Sequence, residues 1–364
     1  MKKFFSALFS LIVLGAIITA IYFNQQFVKI QINKVKGMYY VYKGDKAYKE
    51  MKMNKAIKYY NIGLKLYPEH YSAWYNLGNI FVVYEDYYSA LHSYSQAFKY
   101  NPNMMTARMN YGVIAGEKLG NFDIALEQYD KIIKTKRKLV TIPYVFDNSE
   151  SSKENKAIAY YNKGVIYRYK SLYSNDNWEQ QRKYLSKAIE SYKKSLKISP
   201  KRYDTLYNLG IAYHIAGRYN EAGAYYCKAI KSNPMSYEAH FNLAVLLRHM
   251  RYYKESYEEI DKASTLITAL GQNSAAEKYV AIVMNDIMTD LYHDRDYREF
   301  LKKELEYEKI KSAQDSKNKK KLKKNQEKVH LVNGKVAVSE ENDSVIMSSF
   351  GKCPSMHIFT NLDE

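Results

Sequence analysis

The chain has 364 residues, 46% of them hydrophobic, and a net charge of +18 at neutral pH. That apolar fraction excludes wholesale disorder, and the length admits either two ordinary domains or one extended array. Its 39 tyrosines stand against 2 tryptophans and 6 prolines, and tyrosine joins a large buried area to a polar tip that suits helix packing and binding surfaces alike.

At the N-terminus a short flank, residues 1–3, precedes an uncharged apolar run from Phe4 to Phe23. As a helix these residues span about 30 Å, the thickness of a bilayer core. Two readings stand. The run is an uncleaved transmembrane anchor, favoured because it continues through Ile21-Tyr22-Phe23. Alternatively it is a signal sequence with a cleavage site at Ile18-Thr19-Ala20, which would leave a secreted or periplasmic product. Lys2 and Lys3 on one side compete with Lys29, Lys34, Lys36 and Lys43 on the other, so the positive-inside rule leaves the orientation open. Residues 24–36 read as a linker.

From residue 37 the chain repeats itself. Trp74-Tyr75-Asn76-Leu77-Gly78 returns as Leu206-Tyr207-Asn208-Leu209-Gly210, with weaker copies at Arg108–Gly112, Tyr160–Gly164 and His240–Ala244 and a divergent one at Tyr40–Gly44. Each copy precedes a second helical pattern: Ala56, Tyr60, Gly63, Pro68; Ala90, Tyr94, Ala97, Pro102; Ala188, Tyr192, Ser195, Pro200; Ala222, Tyr226, Ala229, Pro234. Spacings of four and three put these side chains on one helix face, and each proline ends its helix for want of an N–H. Small residues such as Gly78 and Ala90 let the paired helices approach where they cross, and Tyr94 fills the space beside them.

This pattern resembles the tetratricopeptide repeat, a unit of about 34 residues. The resemblance implies an all-α, right-handed superhelical solenoid of about six helix-turn-helix units and a protein-binding role. Three units are expected in residues 37–139 and three in 157–270. Asn76 to Asn110 and Asn208 to Asn242 are each 34 apart, whereas Asn110 to Asn162 is 52 and Asn162 to Asn208 is 46. One extra residue is placed in the turn near Gly120-Asn121. A connector at 140–156 takes the rest of the first excess, and a loop near Ser171–Arg182 takes the second. Ser274-Ala275-Ala276-Glu277 opens a capping helix pair over 271–311. A Lys-rich tail, 312–364, is expected to be disordered.

No phosphate loop, metal-ligand spacing or nucleophile motif is found, which argues against an enzyme, a cofactor and a metal. Cys227 and Cys353 do not make a disulfide framework and leave the redox compartment undecided. Between Ser151 and Arg202 thirteen basic residues face four acidic ones, which favours a partner with negative surface. In the repeat family the first helix of each pair lines the groove that holds the ligand. The residues this implies here are Tyr75, Asn76, Asn79, Asn110, Tyr161, Asn162, Arg168, Tyr207, Asn208, His214, Phe241, Asn242 and Arg248. A carboxylate clamp of the chaperone-receptor type is not expected, because Tyr75, Ile158 and Asn162 stand where its basic residues would be. The asparagines are read instead as a ladder for an extended peptide backbone, as in sugar-transferring relatives of the family.

Three functions compete: a membrane-anchored adaptor for a protein or peptide, a basic-surface binder of nucleic acid or anionic membrane through unit four and the tail, and a self-associating array. Oligomeric state is undetermined.

Overall fold

A computed structural model describes residues 2–135, 149–174, 177–269, 271, 274–326, 353 and 358–359. Among them the secondary structure is helical throughout, in two compact units, Met1–Ile166 and Tyr167–Glu364.

The first unit opens on α1 (Lys2–Lys49), followed by α2 (Met53–Leu66), α3 (Tyr71–Val83), α4 (Tyr87–Tyr100), α5 (Met105–Val113) and α6 (Phe122–Lys134). It ends in α7 (Ser149–Leu172), whose residues after Ile166 belong to the second unit. There α8 (Trp178–Ile198), α9 (Tyr203–Ile215), α10 (Tyr219–Ser232), α11 (Tyr237–His249) and α12 (Tyr253–Ala269) continue the pairs, and α13 (Ser274–His293) and α14 (Arg295–Gln326) follow.

The repeat signature acts at the helix crossings. A Cβ added to Gly44, Gly78, Gly112 or Gly210 would lie 2.5–2.6 Å from the ring of Tyr60, Tyr94, Tyr129 or Tyr226, respectively. Each first helix thus lacks a side chain where the second helix presses a tyrosine ring, and all four rings are fully buried. The starts of α3, α4, α8 and α11 are fixed by capping side chains. His70, Asp86, Asn177 and Ser236 each accept a hydrogen bond from the backbone N–H three residues on. Helices α2, α4, α8 and α10 each stop two residues before a proline, as the clash with the preceding turn demands.

Several boundaries differ from the sequence reading. Residues 24–36 are helical, so α1 runs unbroken from the apolar segment into the first repeat. The extra residue of unit three lies not in the turn but inside the helix. Ile114–Lys118 form a π-helical turn, with Leu119 N–H donating to Ile114 C=O, which absorbs one residue without moving the flanking ends. Residues 136–148 of the expected connector lie outside the described residues, while 149–156 are the first two turns of α7. The insertion in unit four lengthens α7 and α8 rather than making one long loop. Val280, Val283, Ile287 and Leu291 of α13 are buried against α11 and α12, so α13 caps the array alone, whereas Leu301, Leu305 and Ile310 of α14 are exposed. The Lys-rich run as far as Gln326 is helical, and Cys353 and Phe359 pack on α10, so the tail is not uniformly without structure.

Candidate functional site

In the first unit the implied residues stand on α3, α5 and α7. Tyr75, Asn76, Asn79, Asn110 and Tyr161 are half-buried, and Asn162 is buried. Their amides reach back across the repeat interface. Asn76 Nδ2 donates to Asp45 Oδ1 and to the Tyr60 hydroxyl, both at 3.1 Å. Asn110 Nδ2 approaches the hydroxyls of Tyr75 at 3.4 Å and Tyr94 at 3.5 Å. Tyr94 in turn donates to Asn79 Oδ1 at 2.8 Å, and Tyr60 to Asp45 at 2.7 Å. Asn162 differs: its Nδ2 contacts the Met109 sulfur at 3.1 Å.

The second unit repeats one of these contacts. Asn242 Nδ2 donates to the Tyr207 hydroxyl at 2.6 Å, the counterpart of Asn110 and Tyr75. Tyr207 stacks on Tyr203 with ring centres 5.8 Å apart, and Phe241 lies against Tyr279 of α13 at 5.4 Å. Asn208 donates to the Asp204 carbonyl one turn back. His214 sits 3.5 Å from the Tyr226 hydroxyl, and burial holds its pKa below the ordinary value. Arg168 covers the Tyr169 ring. Arg248 is held by Asp290 at 2.6 Å and Asp286 at 3.2 Å, so it ties α11 to the capping helix.

Burial raises the tyrosine pKa values, for Tyr94 to about 12, and Tyr60, Tyr207 and Tyr226 move in the same direction for the same reason. These hydroxyls remain protonated across the physiological range and serve as fixed neutral hydrogen-bonding groups. The arrangement can present aromatic faces and amides to an extended chain. Among the described residues no group of three or more His, Cys, Asp or Glu is placed to hold a metal. Sequence reasoning missed two members of the network. Asp45 follows Gly44 as Asn79 follows Gly78, a parallel visible in the alignment, whereas Tyr279 lies beyond the repeats and carries no periodic signal.

The tetratricopeptide-repeat family profile matches residues 85–138 and 191–224, so the chain carries tetratricopeptide repeats in both units. A UDP-N-acetylglucosamine--peptide N-acetylglucosaminyltransferase of Giardia intestinalis is 37% identical over 70 residues, 19% of this chain. The match spans 5% of that protein's length. Among solved structures, MamA is 21% identical with a TM-score of 0.41, covering 54% of this chain and 91% of that one. Pseudomonas aeruginosa pilF is 14% identical with a TM-score of 0.48, covering 69% and 98%. YrrB, described as a repeat protein with an unusual peptide-binding site, is 18% identical with a TM-score of 0.37, covering 54% and 85%.

Proposed function

We propose that this chain is a membrane-tethered tetratricopeptide scaffold whose first-helix faces bind a protein or an extended peptide. The carrying observation is the repeated clamp in which an asparagine of one repeat fixes the tyrosine hydroxyl of the repeat before it, as in Asn110 with Tyr75 and Asn242 with Tyr207. Aromatic rings held in one rotamer lose less entropy when a ligand covers them, which makes this a prepared contact surface. A carboxamide has one acceptor and two donor positions, so the clamp uses only part of its capacity. The carbonyl oxygen that remains suits the N–H groups of an extended peptide. The similarity to the transferase supports the repeat portion and adds no transferase chemistry, because it reaches only 5% of that protein. The tether is supported by α1, the one helix among the described residues long and apolar enough to cross a bilayer, with Leu11, Ile12, Leu14, Ile17, Ile18 and Phe23 exposed.

The test uses a phage-displayed library of unstructured peptides panned against the protein in detergent. Calorimetric titration then compares a selected peptide on the wild type and on a Tyr207→Ala, Phe241→Ala, Asn242→Ala variant. A loss of roughly 2–4 kcal/mol is expected if the individual terms add. Undiminished affinity in a variant with native circular dichroism rules out this face of the second unit as the site.

A further inference from the structure

Helix α10 carries two buried stripes. Ala222, Tyr226 and Ala229 close against α9 in the pattern shared by the repeats. Gly223, Cys227 and Ile230, one residue further round, are buried as well and share a second face through their spacing of four and three. The cover over Gly223 and Cys227 comes from the far end of the chain. Cys353 is disulfide-bonded to Cys227, with the two Cα atoms 5.5 Å apart across 126 residues of sequence. Phe359 is 2% exposed, and its ring fills the place a side chain on Gly223 would take: an added Cβ there would lie 2.3 Å from Cε1 and Cζ.

The matching positions of the other second helices show why this face differs. Where α10 has Gly223, they carry Ile57, Leu91, Leu126, Ile189 and Tyr257. Where it has Cys227, they carry Asn61, Ser95, Asp130, Lys193 and Asp261. One repeat therefore lacks the large side chain that all the others supply, and that same repeat places a thiol one turn away. The chain's only other cysteine stands six residues before the phenylalanine that restores the missing bulk.

We propose that the Gly223–Cys227 face of α10 is the docking site for Cys353 and Phe359 of the same chain, locked by a native Cys227–Cys353 disulfide, and that the body is therefore built in an oxidising compartment. Forming the bond removes two protons and two electrons from the two thiols. They pass by thiol–disulfide exchange to a disulfide-bearing oxidoreductase of that compartment, which leaves as its dithiol. Disulfides persist in secreted, periplasmic and lumenal proteins and are rare where thiols are kept reduced. For a chain tethered by α1, this puts the repeats on the non-cytosolic side and settles the orientation that the flanking lysines leave open. That last step alone rests on the membrane reading.

The full-length protein is expressed in its native cells, which are quenched in acid, and free thiols are blocked with a maleimide before and after reduction. Proteolysis and mass spectrometry should yield a peptide joining Cys227 to Cys353, two hydrogens lighter than the sum of its parts, and no labelling without reductant. Labelling of both thiols in unreduced samples overturns the proposal whatever the membrane result. Carbonate extraction of the same cells separates the two readings. The joined peptide in a soluble fraction retains the disulfide and its compartment and removes the tether. The seat is tested independently. Phe359→Ala should lower the melting temperature by roughly 5–15 °C, and adding Gly223→Leu should regain at least half of that, since the helix then supplies its own bulk. A double variant that melts lower still shows that Phe359 does not fill the Gly223 space.

Discussion

Among the polar side chains buried inside this protein, His240 and Glu259 form an ionisable pair. Both residues are essentially unexposed, and His240 Nδ1 lies 2.6 Å from Glu259 Oε2. Lys262 donates to the other carboxylate oxygen at 2.8 Å. Burial alone would raise the Glu259 pKa. The His240 hydrogen bond and the charges of His240 and Lys262 outweigh it and hold the carboxyl below its ordinary value. A carboxyl depressed in the folded state stabilises the fold above its unfolded pKa, and that contribution is lost as pH falls through the folded value. Glu259→Gln should therefore cost about 2–4 kcal/mol in urea unfolding at pH 7, and the gap to wild type should narrow steadily below about pH 4.5. A gap that stays constant down to pH 3 would mean that the carboxylate charge contributes nothing to stability.

At the scale of the element, the repeat is a close crossing made by one absent side chain and one large ring. Gly78 leaves room for Tyr94 and Gly210 for Tyr226, with Ala90 and Ala222 on the facing helices fully buried. Ala90→Leu or Ala222→Leu should overpack these crossings and lose about 1–3 kcal/mol by chemical denaturation, whereas a melting curve unchanged from wild type would show that the crossing is not where the alignment puts it. This layer of the structure is legible in the sequence, because a 34-residue period repeats its small residues, its tyrosines and its proline stops. What the period cannot convey is whatever breaks it. The π-helical turn at Ile114–Lys118 hides an inserted residue inside a helix, and the unit-four insertion lengthens α7 and α8 because Trp178–Arg182 are capped by Asn177 and continue the helix. The aromatic–asparagine rows were visible as a candidate surface. That their amides bond to the tyrosines of the preceding repeat follows from contacts about 35 residues apart, and the Cys227–Cys353 bond from one 126 residues apart, neither of which a helix-face pattern records.

At the scale of the whole chain, the apolar N-terminal segment and the repeat body share α1. Its 48 residues would extend about 70 Å, and its two ends face different surroundings. From Leu11 to Val35 the large apolar side chains described are exposed, whereas Val41 and Ala47 are buried against α2. The change falls at Gly37, where an added Cβ would lie 2.7 Å from Tyr67 and 2.9 Å from the Gly63 carbonyl oxygen, so that close packing begins within a turn of residue 37. A chain beginning at residue 36 should therefore lose membrane association yet keep the melting behaviour of the full-length protein. A chain beginning at residue 50 should not. It uncovers Tyr60, removes the Asp45 carboxylate that accepts from Tyr60 and Asn76, and forfeits about 1.5–3 kcal/mol for each large apolar side chain returned to water. Calorimetric melting of both chains, with carbonate extraction of cells expressing each, distinguishes the roles of the two ends. If the chain from residue 36 still pellets with membranes, the tether lies elsewhere; if it melts as low as the chain from residue 50, the apolar segment belongs to the folded body.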